Sequence, residues 1–229
     1  MNILRTFSIL FNCKISLICM YLFASLCSYP AHATPVKINF TGEIVSTTYF
    51  RDDPFSGVLS IGDAFSGFYI FDSDALNIAN ADQGRYRHRT DPYQFSIQFD
   101  TLGGVSKAAD NDFNIIVSND YFGVDAYDVQ ARQLSIGGVD ADLAQIYLRD
   151  LTATALDSVA LLDSSTNLSD YQERLLFLGA TTDTGSNWGN ISGRITSLSR
   201  VPEPATFFLI CLGLVYIGFR KRTSVAKQA

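Results

Sequence analysis

Three arginines at alternate positions form the most distinctive polar segment of this 229-residue chain. In an extended strand, Arg85, Arg87 and Arg89 share one face, while the two intervening residues point to the other. The forked N–H donors of guanidinium groups match the oxygens of carboxylates and sulfates. The segment therefore predicts a contact site for the anionic groups of an acidic polysaccharide. The alternative is that the arginines pair with nearby Asp82 and Asp91 and only balance local charge.

Histidine and cysteine chemistry has few residues to draw on. His88 is the single histidine between residues 34 and 200, and that stretch has no cysteine. No Gly-x-Ser-x-Gly sequence supplies a nucleophile elbow, and a catalytic zinc ion usually takes several histidine or cysteine ligands. Lying between two arginines, His88 is expected to be a solvated loop residue. We predict that the protein is not an enzyme and name no catalytic residue; a glycan hydrolase using two aspartates is the alternative.

Aspartates are the abundant oxygen ligands of the chain. Residues 110–114 begin like an EF-hand loop, but Ile115 stands where glycine is required and no glutamate closes the loop. Asp72 and Asp74 form a second incomplete motif. We predict no cofactor and assign no metal ligands, with a structural calcium ion as the alternative.

Charge and cysteine are segregated along the chain. Residues 34–204 contain 11 lysines and arginines against all 23 acidic residues, a difference of −12. Such a surface disfavours nucleic acid as a partner. All four cysteines, Cys13, Cys19, Cys27 and Cys211, lie outside this acidic region. The region therefore has the composition of an exported domain that is held together by core packing rather than by disulfides.

Alternating apolar and polar residues predict β-strands. The clearest alternation covers residues 93–100, which indicates a half-buried strand. Further strands are predicted at 36–40, 64–71, 113–117, 144–148, 175–179 and 191–198, and single helical turns at 157–162 and 170–176. Turn residues separate the strands. We predict one all-β domain at residues 34–200, an antiparallel β-sandwich of jelly-roll type.

The N-terminus reads as a secretory leader. An apolar stretch at 15–26 follows basic residues, and Ala31-His32-Ala33 has the small-x-small pattern of a signal peptidase site. We predict a signal peptide at residues 1–33, cleaved between Ala33 and Thr34.

The C-terminus reads as a membrane segment with a cationic stop. Pro202 and Pro204 hold the chain around Glu203 extended and accessible. The apolar run at 205–219 predicts a single transmembrane helix. The basic stop is formed by Arg220, Lys221 and Arg222. These basic residues should stay cytoplasmic with the tail at 223–229, which places the long N-terminal part across the membrane. A C-terminal core helix after a proline-rich turn is the alternative.

Residues 201–222 resemble the PEP-CTERM sorting signal, in which Pro202-Glu203-Pro204 precedes an apolar span and a basic stop. The resemblance implies processing near the motif by an exosortase, an integral-membrane enzyme of Gram-negative bacteria that make extracellular polysaccharide. It also implies export through the inner membrane, a transient single-pass state, and final release or attachment at the cell surface or in the biofilm matrix.

The opening of the acidic region is similar to exported PEP-CTERM proteins of unassigned function. The similarity rests on residues 40–44 and on Gly57, Gly62 and Gly67. We expect these glycines to serve hairpin turns and close strand packing, because the side chains of a phosphate loop are missing after them. The predicted role is structural or adhesive, with exosortase as a partner. A carbohydrate-binding module for acidic exopolysaccharide is the alternative.

Overall fold

The computed structural model describes residues 35–48, 54–80, 82–107, 112–162, 167–181 and 188–201. These residues form twelve β-strands and one short 3₁₀ helix, Leu168–Asp170. The strands are β1 (Pro35–Thr48), β2 (Ala64–Asp72), β3 (Gln83–His88), β4 (Gln94–Phe99), β5 (Val105–Lys107), β6 (Phe113–Tyr121), β7 (Val124–Ala131), β8 (Leu134–Ile136), β9 (Val139–Ala141), β10 (Leu143–Asp150), β11 (Glu173–Thr181) and β12 (Trp188–Arg200). The predicted all-β class is confirmed.

Ten of the strands form one antiparallel sheet in the order β3-β6-β7-β10-β11-β12-β1-β2-β4-β5, and β8 and β9 form a separate hairpin. The predicted jelly-roll sandwich is not confirmed, because the ten strands are hydrogen-bonded continuously. The sheet is curled. Phe71 of β2 and His88 of β3 have ring centroids 6.3 Å apart, although seven strand spacings of about 4.8 Å would separate them in a flat sheet.

Seven strands were predicted at the positions where they occur, namely β1, β2, β4, β6, β10, β11 and β12. The two helical turns were predicted wrongly. Residues 157–162 contain no helix, and the 3₁₀ helix ends at Asp170, where the second turn was expected to begin. Residues 173–176 belong instead to β11, where Leu176 and Leu178 are fully buried on the inner face.

Aromatic side chains fill the inside of the curled sheet. Phe40 stacks on Phe95 with ring centroids 5.8 Å apart, and Phe65 lies 6.0 Å from Phe99. All four side chains are at most 2% exposed. Burial of one such side chain stabilises a fold by about 1.5–3 kcal/mol, so a core of this kind accounts for a stable domain without disulfides.

Glycines have the two roles that the sequence predicted. Gly57 and Gly62 adopt positive φ values of 75° and 95° in the turns between β1 and β2. Gly67 lies within β2, directly opposite Phe40 of β1, whose ring occupies the space of a missing Cβ. A ring laid over a glycine in the neighbouring strand covers the exposed backbone and helps to set the register.

Phe65 covers two further glycines. Gly42 of β1 is its direct cross-strand partner, and Gly193 lies on β12, the next strand of the sheet. A Cβ on either glycine would meet the Phe65 ring, and on Gly42 it would also meet the carbonyl oxygen of Arg194. The ring of Phe65 therefore bridges three strands in the middle of the sheet.

Candidate functional site

Two neighbouring grooves lie on the outer face of β3, β6, β7 and β10. The first, here called the arginine groove, has a volume of about 320 Å³ and is lined by Arg85, Arg87, Asp112 and Arg132, among others. The second, here called the Asp128 groove, has a volume of about 350 Å³ and includes Phe122, Asp128 and Tyr147. Ile116 of β6 lines both grooves.

The predicted arginine face is present on β3, an edge strand of the sheet. Arg85 and Arg87 are exposed, and Tyr86 and His88 are buried on the opposite side, as the alternation predicts. Arg89 is exposed one residue beyond the end of the strand. The edge is partly covered, because the backbone N–H of Arg85 donates to the side chain of Asn77 at 3.0 Å.

Asp112, at the start of β6, is the ion-pair partner of this face. Arg87 donates from Nε to Oδ1 at 3.0 Å and from its terminal nitrogen to Oδ2 at 2.6 Å, a bidentate contact. Arg89 Nε lies 3.6 Å from the same carboxylate. Sequence proximity suggested Asp82 and Asp91 as partners, and Asp112 was not among them. Asp112 is close in space because Arg87 pairs in register with Asn114 of β6.

Arg132 was missed by the sequence analysis. It follows β7, far along the chain from β3, and reaches the groove because β6 lies between the two strands. Three guanidinium groups therefore share a small groove with one carboxylate. In a domain of strongly negative net charge, this groove is a local positive site that suits an anionic ligand.

The prediction for His88 was wrong, since the residue is buried rather than solvated. It is 2% exposed and stacks on Phe113 with ring centroids 4.9 Å apart. Tyr93 packs against another part of the imidazole at 5.4 Å. Burial lowers the pKa of His88 to about 4, and the charge of Asp72 offsets only part of this effect. His88 is therefore a neutral core residue near pH 7.

Asp128 is the buried carboxylate of the second groove. It lies on the outer face of β7, in register with Ile116 of β6 and Tyr147 of β10, and is 8% exposed. Its Oδ2 accepts hydrogen bonds from Gln130 Nε2 at 2.6 Å and Gln145 Nε2 at 2.9 Å. Its Oδ1 has no hydrogen-bond partner among the described residues. Burial raises the pKa of the Asp128 carboxyl to about 6, although both glutamines act against this rise.

Two other buried carboxylates show a different environment. Asp125 accepts from the backbone N–H groups of Asp120 and Leu156, both at 2.8 Å. Asp150 accepts from the hydroxyl of Thr152 and the backbone N–H of Thr154, and these bonds hold the pKa of that carboxyl well below its usual range. Both oxygens of Asp150 hold the segment after β10, whereas Asp125 joins that segment to the end of β6. Asp128 differs in having one oxygen without a donor.

No group of three or more histidine, cysteine, aspartate or glutamate side chains within the described part of the chain could hold a metal ion. Of the two incomplete calcium motifs, Asp72 accepts from the backbone N–H of Asp74 at 2.9 Å, as turn aspartates do. Residues 110 and 111 of the other motif lie outside the described residues, and Asp112 contacts Arg87. The calcium hypothesis stays a prediction.

Several predicted sites lie outside the described residues. They are the signal peptidase site at Ala31 and Ala33, the motif Pro202, Glu203 and Pro204, and the basic stop Arg220, Lys221 and Arg222. Among the residues that the structure does describe, none belongs to a helix long and apolar enough to cross a membrane.

The comparisons with known proteins bear on the C-terminus. A family model described as the PEP-CTERM protein-sorting motif matches residues 200–222. Searches of curated proteins and of solved structures returned no match. The match covers the segment in which the motif, the apolar span and the basic stop were found.

Proposed function

The chain is a PEP-CTERM sorting domain-containing protein, and from this premise we propose that it is an exported surface protein with a structural or adhesive role. Exosortase processes the C-terminal signal and leaves the β-domain at the cell surface or in the extracellular matrix. Before processing, the chain is held at the inner membrane by its apolar segment.

The position of the fold relative to the signal supports this proposal. The last strand, β12, ends at Arg200, and the backbone N–H of Val201 donates to the carbonyl of Lys37 at 2.9 Å. The family match begins at residue 200. A cut beyond Val201 would therefore leave every described strand intact, so that processing and folding do not interfere.

The two grooves bear on the alternative of a hydrolase with two aspartates. Each groove is lined by one carboxylate, Asp112 in the first and Asp128 in the second. A glycosidase needs two carboxyl groups about 5–9 Å apart on either side of one bond. No observation in these grooves favours that alternative, and we name no catalytic residue.

Intact-mass measurement of the exported protein tests the sorting proposal. The protein from its own host is expected to lack the residues beyond the processing point, because exosortase cuts near Pro202-Glu203-Pro204. The protein from an exosortase-deficient strain should keep its full C-terminus. Identical full-length C-termini in both strains would contradict the proposal.

A second candidate function is the binding of an acidic polysaccharide in the arginine groove. It is favoured by the excess of guanidinium groups over carboxylates there and by the exposure of Arg85 and Arg87 on one strand face. Exposed guanidinium groups bind carboxylates and sulfates in bidentate geometry.

The triple variant Arg85→Ser, Arg87→Ser and Arg89→Ser is expected to bind uronic-acid or sulfated oligosaccharides at least tenfold more weakly than the unaltered protein, on a glycan array. Loss of a charge-assisted hydrogen bond costs about 1.5–3 kcal/mol. Arg174→Ser is the control, since Arg174 lies in β11 and lines neither groove. Equal binding by the triple variant and the control would remove this candidate.

A further inference from the structure

We propose that the arginine groove binds neighbouring uronic-acid residues of one oligosaccharide, with Arg85 and Arg132 as the two guanidinium groups that contact their carboxylates. Asp112 holds Arg87 and lowers the affinity of the groove for this ligand. The inference rests on the second candidate function, the binding of an acidic polysaccharide. It adds a binding residue from outside the arginine segment, a minimum length of the ligand and a carboxylate that opposes binding.

Arg85 and Arg132 are the two guanidinium groups of the groove that have no counter-ion among the described residues. Both line the groove and are exposed. Arg87, by contrast, is engaged by both carboxylate oxygens of Asp112. In a domain with a large excess of acidic residues, two guanidinium groups without a carboxylate on one small surface indicate a site for an external anion.

The backbone of Arg85 is fixed although β3 is an edge strand. Its N–H donates to Asn77 Oδ1 at 3.0 Å, and its carbonyl accepts from the N–H of Ile78 at 2.9 Å. Ile78 is 62% exposed and itself lines the groove. The segment that covers the edge therefore holds Arg85 in place, which reduces the entropy cost of binding. It also adds an apolar surface for the C–H face of a sugar ring.

The strand register places these two arginines at opposite ends of the groove. Arg85 pairs with Ile116 of β6, whereas Arg132 follows Ala131, which pairs with Phe113. The two rows are therefore four residues apart along β6, about 13 Å at the usual rise of roughly 3.3 Å per residue. A ligand that contacts both guanidinium groups must extend along the groove. This favours two carboxylates on neighbouring sugar residues over one isolated acid.

The floor between the two arginines suits a sugar chain. Asn114 of β6 and Gln130 of β7 are direct cross-strand partners that both line the groove. Gln130 Nε2 donates to Asp128, which leaves Gln130 Oε1 to accept from a sugar hydroxyl. The volume of about 320 Å³ is at the lower end of ligand pockets, which measure roughly 300–1,000 Å³. A groove of this size fits a short oligosaccharide segment.

Asp112 shows that a carboxylate fits this groove, and it also occupies part of it. Its two oxygens accept from two donors of Arg87, and Arg89 Nε lies 3.6 Å from the same group. A uronic-acid carboxylate can be bound in the same bidentate geometry. With Asp112 in place, the charge of Arg87 is balanced and the carboxylate repels an acidic ligand. Removal of this charge should therefore strengthen binding.

The test titrates the exported protein with mono-, di- and trigalacturonic acid by calorimetry at constant ionic strength. The trimer is expected to bind at least tenfold more tightly than the monomer. Arg85→Gln and Arg132→Gln should each weaken trimer binding at least tenfold, because a hydrogen bond to a charged group is lost. Asp112→Asn should instead tighten trimer binding at least threefold.

Arg194→Gln is the matched control, because Arg194 is an exposed arginine of β12 that lines neither groove. It should bind the trimer as the unaltered protein does, and circular dichroism checks that each variant keeps its fold. The inference is overturned if Arg132→Gln binds like the control, if monomer and trimer bind equally tightly, or if Asp112→Asn weakens binding. Loss of binding in the triple arginine variant would, in those cases, still support the candidate function. Absence of binding by all three acids would remove both.

Discussion

Gly42→Ala is expected to destabilise the protein by about 3 kcal/mol, which is at the upper end of the cost of overpacking a core. The new methyl group would meet both the Phe65 ring and the carbonyl oxygen of Arg194. The ring could shift, but the carbonyl belongs to β12, which is hydrogen-bonded to its neighbours on both sides. Denaturant unfolding, followed by circular dichroism, measures the change in the free energy of unfolding.

Gly104→Ala is the matched control for this prediction. A methyl group on Gly104 would come no closer than 4.0 Å to another atom, the carbonyl oxygen of Leu102. Its effect should be within a few tenths of a kcal/mol, since the substitution mainly restricts the unfolded chain. Equal stability of the two alanine variants would show that the packing of Phe65 against Gly42 does not constrain the sheet.

A double-mutant cycle separates the ring from the backbone. On Gly193, a methyl group would meet the Phe65 ring at 2.5 Å, whereas its nearest backbone contact is Glu43 O at 3.1 Å. Gly193→Ala combined with Phe65→Leu should therefore be less destabilised than the sum of the two single variants. Strict additivity would contradict the bridging role of the ring.

Acidification from pH 7 to pH 4 is expected to reduce the free energy of unfolding through His88 by about 2–3 kcal/mol, since each pKa unit corresponds to about 1.4 kcal/mol. The pKa of His88 in the folded protein, about 4, lies below the usual histidine value of 6.5. The stability that His88 contributes is thus fully present above pH 6.5 and is lost as the pH falls through 4. The reason is that the unfolded chain binds a proton on this histidine at a higher pH than the folded chain does.

The titration of Asp128 changes the stability of the protein in the opposite direction over nearly the same pH range. Its pKa in the folded protein, about 6, lies above the usual aspartate value of 3.8. The stability that it contributes is present below pH 3.8 and is lost as the pH rises through 6. In the unaltered protein, the two effects therefore offset one another, and stability should vary little between pH 4 and 6.

Single variants separate the two effects. His88→Phe removes the histidine titration, so this variant should become more stable as the pH falls from 7 to 4. Asp128→Asn should instead lose about 2–3 kcal/mol over that interval. Urea unfolding at pH 4, 5, 6 and 7 gives the slope of the free energy of unfolding against pH for each variant. A packing change in His88→Phe shifts this free energy equally at every pH and leaves the slope unchanged. If the free energy of unfolding changed with pH in the same direction in both variants, the pKa shifts assigned to His88 and Asp128 would be refuted.

Period-two alternation was sufficient to predict strands in which the inner face is mainly apolar, such as β1, β4 and residues 144–148 of β10. It failed for β7, because Asp125 takes an inward position among Tyr127 and Val129. The donors that make this tolerable come from Asp120 and from Leu156, 31 residues further along the chain. No local pattern contains that information.

The residues of the candidate sites also divide into those that local sequence predicted and those that only strand pairing brings together. The alternate exposure of Arg85 and Arg87 follows from local geometry and was predicted. Asp128 was indistinguishable from other aspartates in the sequence. Its burial depends on Ile116 and Tyr147, which reach it through strand pairing. His88 was predicted as solvated because its neighbours are arginines, yet its ring packs against Phe71 of β2 and Phe113 of β6.

The sequence by itself determined the sorting signal, the acidic cysteine-free body and its β class, because each depends on residue type and short-range order. Only the tertiary structure decided that ten strands form one curled sheet, that Asp112 pairs with Arg87, and that an incompletely satisfied carboxylate lies beside exposed aromatic rings. These features depend on which strands become neighbours. Strand order is set by the packing of the whole inner face and is not encoded at any one position.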